Sequence, residues 1–243
     1  MARIRIDISF KGTDYHGWQI QENAFTVQEE LNKALSTVLR ENIETTGCGR
    51  TDTGVHARRF TAHFDCAGKI DDFNYLKLKL NTVLSRNIAV NAICTTYPGF
   101  HSRFDAVKRT YKYFIHTLKD PFRNEYSTFV PHSLDLELMN GAAALLKGNM
   151  DFTSFSKSHT DVNNNFCEVC EAEWTQTDEG YVFTISANRF LRNMVRAIVG
   201  TMMDAGRNKI SDFSGIIAAK DRRRAGMSAP PQGLFLWDNQ YIK

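Results

Sequence analysis

The stretch RIRIDISF, residues 3–10, alternates polar and apolar side chains along its whole length. A period of two is typical of a β-strand that buries one face. The next segment, residues 26–40, carries apolar residues at helical spacing, and Thr26 with Glu29 has the sequence of a capping box. The rest of this half follows the same two periods, with strands at 60–65 and 88–97 and a helix at 71–85. The order β-α-β-α-β is therefore predicted.

The second half of the chain repeats this rhythm of strands and helices. Residues 109–117 alternate as a strand, and the turn signal Asp178-Glu179-Gly180 predicts a hairpin between the strand patterns on either side of it. The same periods predict helices at 135–148, 191–206 and 212–220, and a last strand at 233–243.

The repeated rhythm favours an α+β fold with two similar subdomains, each an antiparallel sheet with helices on one face. We expect an active-site cleft between the two subdomains. The boundary is placed near residues 100–109, which gives an N-terminal subdomain of residues 1–104 and a C-terminal subdomain of residues 105–243.

The composition is that of an ordinary globular protein, with 243 residues and a net charge of +3. No apolar run approaches the roughly 18 residues of a membrane span, and the chain starts with a strand pattern rather than a signal peptide. We therefore expect a cytoplasmic protein with no membrane partner. Its five cysteines are expected to be reduced, and the CxxC pair Cys167 and Cys170 lies in a strand pattern without a second pair at zinc spacing. The sequence predicts no metal site.

Basic residues are clustered, although the net charge is close to neutral. Such clusters can follow the phosphates of a nucleic acid. The alternative for any single cluster is a solvated face. Several clusters beside glycine-rich or aromatic stretches favour nucleic acid, and their members are Arg58, Arg59, Lys108, Arg109, Arg189, Arg192, Arg196, Lys220, Arg222, Arg223 and Arg224.

The segment TGCGRTDTGVHARRF, residues 46–60, contains one acid, Asp52, in a glycine-rich setting with Arg50 two residues upstream. A neighbouring cation keeps a carboxylate ionised, and an ionised, positioned carboxylate suits nucleophilic attack. The alternative is a turn in which Asp52 caps backbone amides. The pattern alone leaves both interpretations open.

Six sequence blocks follow one another in order, and their span covers nearly the whole chain. They are GTDYHGWQIQ with TVQEEL, GCGRTDTGVHA, FHSRFDAVKRTYKYFI, DFTSF, NRFLRNMVRAIVG and APPQGLFL. Together these blocks resemble the tRNA pseudouridine synthase A family. The resemblance implies isomerisation of uridine to pseudouridine in the anticodon stem-loop of tRNA, at positions 38, 39 and/or 40. It also implies no cofactor, no metal and a homodimer with one tRNA lying across both subunits.

The resemblance also implies roles for individual residues. The nucleophilic aspartate of the family falls on Asp52 and an active-site arginine falls on Arg50. The tyrosine that lies against the target base falls on Tyr111, a second active-site arginine on Arg196, and an apolar residue of the pocket wall on Leu234. RNA contacts are expected from Arg58, Arg59, Lys108, Arg109, Arg222 and Arg223.

Two of these assignments have alternatives in the sequence itself. Strand alternation puts Tyr111 and Tyr113 on the same face, so the pattern does not choose between them. The arginine on the apolar helix, Arg196, needs an anionic partner, which could be Asp52, a phosphate or a structural acid. The sequence also departs from the family at several positions, among them Cys48 in place of alanine and Asp105 in place of a small residue.

Two other functional classes compete with the isomerase. A non-catalytic RNA-binding protein would use the basic clusters and aromatic residues without chemistry, but it would not need both Asp52 and Arg50. A metal-dependent hydrolase would use Asp52 with His56 and His63, although their spacing fits no metal motif.

Overall fold

The structure, a computed structural model, describes residues 1–157 and 164–242. The strands are β1 (Ala2–Phe10), β2 (Thr46–Gly47), β3 (His56–Cys66), β4 (Ile88–Thr95), β5 (Ala106–His116), β6 (Thr128–Phe129), β7 (Gly148–Asp151), β8 (Phe166–Thr177), β9 (Gly180–Ala187) and β10 (Leu234–Tyr241). The helices are α1 (Val27–Leu39), α2 (Phe73–Val83), α3 (Leu136–Ala144), α4 (Met194–Gly206) and α5 (Phe213–Ala219).

The predicted α+β class is confirmed, and every strand and helix predicted from periodicity is present. The N-cap of α1 is also as predicted, because the Thr26 side chain accepts a hydrogen bond from the Glu29 amide at 3.3 Å. The sequence did not predict β2, β6 and β7. These strands are two, two and four residues long, too short to show a period.

The chain divides into two compact units. The first comprises Met1–Val107 with Leu236 and the residues that follow it, and the second comprises Lys108–Phe235. This division differs from residues 1–104 and 105–243 chiefly at the C-terminus. The end of β10 belongs with the first unit because the side chain of Asn239 donates to the carbonyl of Arg59 at 3.1 Å and the Tyr241 hydroxyl donates to that of Ser102 at 2.7 Å.

In the first unit the strand order is β4-β1-β3-β10, and β1 pairs antiparallel with both β3 and β4. The quoted stretch RIRIDISF is β1. Its alternate residues Ile4, Ile6 and Ile8 are fully buried, as a strand with one core face requires. Helix α2 packs on β4 and against α1, whose apolar face is likewise buried.

In the second unit the strand order is β5-β9-β8-β7 with antiparallel pairing throughout, while the short strand β6 runs parallel to β5. The β8–β9 hairpin turns at the predicted place, with Thr177 opposite Gly180. Within it the rings of Trp174 and Phe183 form a cross-strand pair 5.0 Å apart. Helix α3 packs on β8 and on α4, which is buried along most of its length.

The CxxC pair lies in β8, as its flanking pattern predicted. Cys167 is buried and Cys170 is exposed, so the two thiols occupy opposite faces of the strand. Burial raises the pKa of the Cys167 thiol to about 11, which keeps it protonated at neutral pH. Across residues 1–157 and 164–242, no helix is long and apolar enough to cross a membrane.

Candidate active site

The residue singled out by the sequence, Asp52, lies in the loop that connects β2 to β3. It is half-buried, while Arg50 on the same loop is exposed. The loop turns back on itself directly after the acid, because the amide of Val55 donates to the carbonyl of Asp52 at 3.2 Å. Gly54 occupies a left-handed position of this turn, with φ of +79°. This turn fixes the backbone on either side of Asp52 and leaves the residue partly open to solvent.

The segment after β1 holds the backbone of this loop in place. Gly17 has φ of +87°, and a Cβ added there would lie 2.2 Å from the carbonyl oxygen of Thr51. The amide of Gly54 donates to the carbonyl of Tyr15 at 3.3 Å. The side chain of Tyr15 is itself buried and donates to Glu30 at 2.6 Å. The first and second resemblance blocks are thus in contact, and one positions the other.

We expect Gly17→Ala to lower the free energy of unfolding by about 1–3 kcal/mol, the usual cost of a left-handed conformation for a residue other than glycine. The added methyl group also pushes on Thr51, so any activity that depends on Asp52 should fall together with stability. Chemical unfolding measures the first effect. Gly49→Ala is the matched control, because its Cβ would meet nothing within 4 Å. Equal unfolding free energies in the two variants would contradict the close approach at Gly17.

A buried polar network anchors the start of the loop. The amide of Cys48 donates to the carbonyl of Thr61 at 2.8 Å, and the Thr61 hydroxyl donates to Asp7 at 2.5 Å. From β10, the amide group of Asn239 contacts the sulfur of Cys48 at 3.4 Å and its oxygen lies 2.7 Å from the Thr61 hydroxyl. The sequence predicts no role for Asn239, since no local pattern marks a strand residue whose partner lies far along the chain.

The two histidines that the metal-hydrolase alternative would use, His56 and His63, accept hydrogen bonds from backbone amides. The Nδ1 of His56 accepts from the amide of Gly12 at 3.0 Å, and the Nδ1 of His63 accepts from the amide of Ser102 at 3.2 Å. Burial, together with the charges of Arg3 and His101, lowers the pKa of His63 to about 4. In the described parts of the chain, no group of three or more His, Cys, Asp and Glu residues is placed to hold a metal ion.

In the second unit, burial distinguishes Tyr111 from Tyr113, which strand alternation did not. Tyr113 is fully buried, and its hydroxyl lies 2.6 Å from the Thr128 hydroxyl and donates to the carbonyl of Pro230 at 2.9 Å. Burial raises the pKa of Tyr113 well above its ordinary value. Tyr111 is only half-buried, and its ring meets Phe190 edge-on at 4.9 Å. Tyr113 is thus enclosed in the core with its hydroxyl bonded, whereas Tyr111 is the less buried of the two tyrosines.

Arg196 and Leu234 also lie in the second unit. Arg196 is in the first turn of α4, and its Nε donates to the carbonyl of Ala229 at 2.8 Å while the amide of Ala229 donates back to the carbonyl of Arg196 at 2.9 Å. These reciprocal bonds hold the backbone of Arg196 and the Nε of its guanidinium group in place. Leu234 follows the short turn Pro231–Gly233 and is 5 % exposed.

The basic residues differ in what already neutralises them. Arg58 is exposed, whereas Arg59 lies 3.3 Å from Asp238 and 3.5 Å from Asp7. In the second unit Lys108 is half-buried, and Arg109 donates to the carbonyl of Asn188 at 2.7 Å.

Two arginines of the short helix Arg222–Arg224, before the block APPQGLFL, make different contacts. Arg222 donates to the carbonyls of Ala225 and Gly226, so its guanidinium group braces the loop. Arg223 is 89 % exposed at its side chain and pairs with Asp221 at 2.8 Å. Arg223 therefore faces outward with its charge already balanced by Asp221, as that of Arg59 is by Asp7 and Asp238.

Comparison with known proteins finds close relatives over nearly the full length. A family profile described as tRNA pseudouridine synthase matches residues 142–241. A protein of Bacteroides fragilis named tRNA pseudouridine synthase A is 51 % identical over 99 % of this chain and 97 % of its own length. Proteins of the same name from Parabacteroides distasonis and Bacillus subtilis are 49 % and 40 % identical, covering 99 % and 98 % of this chain and 96 % and 99 % of their own.

Proposed function

The chain belongs to the tRNA pseudouridine synthase A family, and we propose that Asp52 is the nucleophile with which it isomerises uridine to pseudouridine in tRNA. The observation that supports this role most directly is the set of backbone contacts that hold the loop of Asp52. Thr51 lies against the backbone of Gly17, the amide of Gly54 donates to the carbonyl of Tyr15, and the amide of Val55 donates to the carbonyl of Asp52. A carboxylate that is positioned before substrate arrives suits nucleophilic catalysis.

The reaction conserves atoms. The N1–C1′ glycosidic bond breaks, the uracil rotates, and a C5–C1′ bond forms, while the proton lost from C5 is balanced by one gained at N1. We propose that Arg50 stabilises charge close to the acid and that Arg196 contributes a second cation, with Leu234 as an apolar part of the pocket wall. Both the geometry of Arg196 at the start of α4 and the exposure of Arg50 support these assignments.

The target uridine must leave its stack before a side chain can reach the glycosidic bond. Flipping costs a few kcal/mol, and stacking on an aromatic ring returns roughly 1–3 kcal/mol per base. We propose that Tyr111 supplies this ring. Its intermediate burial supports the role, because part of the residue remains open to solvent, in contrast to Tyr113.

We propose the anticodon stem-loop as the site of modification. The test is to incubate the purified protein with unmodified tRNA and to map pseudouridine along the product. New pseudouridine within the anticodon stem-loop supports the proposal, and product confined to other parts of the tRNA contradicts it.

We propose further that the protein is a cytoplasmic homodimer with one tRNA lying across both subunits, on the strength of the family resemblance. Light scattering of the purified chain, alone and with tRNA, measures the number of subunits. A monomer at every concentration that supports full activity would exclude the dimer.

RNA affinity is expected to fall steeply with salt, since local patches and not the net charge of +3 attract the phosphates. Each phosphate contact contributes about −0.7 to the slope of log K against log salt on single strands. We expect Arg58→Gln to flatten the slope by about that amount, and Arg59→Gln by less, because Asp7 and Asp238 already balance Arg59.

Binding isotherms at several salt concentrations measure these slopes. Lys69→Gln is the matched control, because Lys69 is 88 % exposed and pairs with Asp71 on a loop away from the basic clusters in sequence. A wild-type slope near zero, or slopes that the arginine variants leave unchanged, would show that these arginines form a solvated face.

A further inference from the structure

An exposed aromatic cluster lies in the loop between β4 and β5. The ring of Phe104 is 72 % exposed, yet it packs on the imidazole of His101 with centroids 4.2 Å apart. The guanidinium carbon of Arg103 lies 5.5 Å from the centre of the same ring. A large ring left open on a soluble protein, with a cation beside it, is a combination that binding sites use.

The loop holds Phe104 in this position before any ligand arrives. The carboxylate of Asp105 accepts from the amide of His101 at 2.8 Å and from the hydroxyl of Tyr97 at 2.7 Å. The Nδ1 of His101 in turn lies 3.2 Å from the amide of Arg103 and 3.3 Å from that of Phe104. These bonds explain why an acid stands at position 105, where the resembling family has a small residue. They also lower the pKa of Asp105, with the His101 amide as the main cause.

The same loop is tied to the strand that leads into the loop of Asp52. Ser102 is fully buried, and its hydroxyl donates to the carbonyl of Thr46 at 2.6 Å. Thr46 begins β2, and the loop of Asp52 follows β2 directly. The Tyr241 hydroxyl holds Ser102 from the other side, at 2.7 Å from its carbonyl. The exposed ring is therefore a fixed feature of the unit that carries Asp52.

We propose that Phe104, supported by His101 and flanked by Arg103, is a stacking site for an unpaired base of the bound tRNA. The proposal rests on tRNA being the substrate. A nucleotide complements the cluster twice, because its base offers a flat π-face to the ring and its phosphate offers an anion to the guanidinium group. An apolar protein segment would match the ring alone. The base contacted here is a second one, additional to the uridine proposed to stack on Tyr111.

The test uses the full-length protein and an unmodified tRNA transcript. Loss of one stacked base is expected to raise Kd by about 5- to 150-fold in Phe104→Ala, whereas Phe104→Trp retains the wild-type Kd. Phe122→Ala is the matched control, since Phe122 is 89 % exposed on a loop of the other unit and should leave Kd unchanged. The slope of log K against log salt should stay the same in Phe104→Ala, because no charge is removed.

Thermal unfolding and single-turnover rates separate the outcomes. The exposed ring contributes little to the core, so the unfolding midpoint of Phe104→Ala should match that of the wild type. At saturating protein the variant should still form pseudouridine, which distinguishes a lost stacking site from a wrong assignment of the reaction. Wild-type Kd in Phe104→Ala, or equal weakening in Phe104→Ala and Phe104→Trp, would overturn the proposal. A lower rate at unchanged Kd would overturn it as well.

Discussion

Replacing Asp52 with asparagine is expected to slow pseudouridine formation by at least about 1,000-fold, the scale on which enzymes lose activity when a nucleophile is removed. The change is nearly isosteric and removes only the ionised carboxylate. Binding of tRNA should persist, because no basic residue is lost and a negative charge disappears near the phosphates. Single-turnover formation of pseudouridine and a tRNA binding isotherm measure the two quantities separately.

The same substitution decides between the two interpretations that the sequence left open. Asparagine caps turns about as well as aspartate, so a structural Asp52 would tolerate it. Asp71→Asn is the matched control, because Asp71 is 78 % exposed, pairs with Lys69 and lies in the same unit. If Asp52→Asn retained a tenth of the wild-type rate or more, the nucleophile assignment would be wrong and the turn-cap role would stand.

The second large effect is expected at Tyr111. Tyr111→Ala removes both the ring and the hydroxyl, and we expect kcat/KM to fall by at least about 100-fold, from lost stacking and lost proton transfer together. Tyr111→Phe keeps the ring. A nearly normal rate in that variant assigns Tyr111 to stacking alone, and a rate slowed by about 100-fold assigns its hydroxyl to acid–base work. Normal activity in both variants would make Tyr111 a packing residue.

Tyr113→Phe provides the control for Tyr111→Phe. The two residues lie on the same strand face, and each variant loses only the tyrosine hydroxyl. The hydroxyl of Tyr113 lies in the core between Thr128 and Pro230. Removing it leaves a buried carbonyl without its donor, so the free energy of unfolding should fall by about 1–3 kcal/mol. The rate per folded molecule should stay close to that of the wild type. A larger effect on rate than on stability would contradict the division of roles between the two tyrosines.

Much of the candidate site is predicted from the sequence because its signals are local. The neighbouring glycines predict the turn around Asp52, and the period-two alternation of side chains predicts β1. Other signals change meaning once the fold is known. Of the glycines in this motif, Gly54 serves a left-handed turn, whereas a Cβ at Gly47 would lie 2.6 Å from Trp18 and a Cβ at Gly49 would meet nothing. A glycine in the sequence does not by itself show whether it is needed for a left-handed backbone conformation or for close packing of a neighbouring group.

The amino-acid sequence by itself determined the α+β class, the order of its long strands and helices, and the position of the candidate nucleophile. These follow from side-chain period and from motifs within a few residues of each other. Tertiary structure alone decided that Tyr113 is fully buried while Tyr111 is half-buried, and that the side chain of Asn239 contacts Cys48. Burial depth depends on what packs over a face, and the Thr61–Asn239 contact joins residues 178 positions apart. No local pattern specifies such a pair, because it exists only when folding brings the two strands side by side.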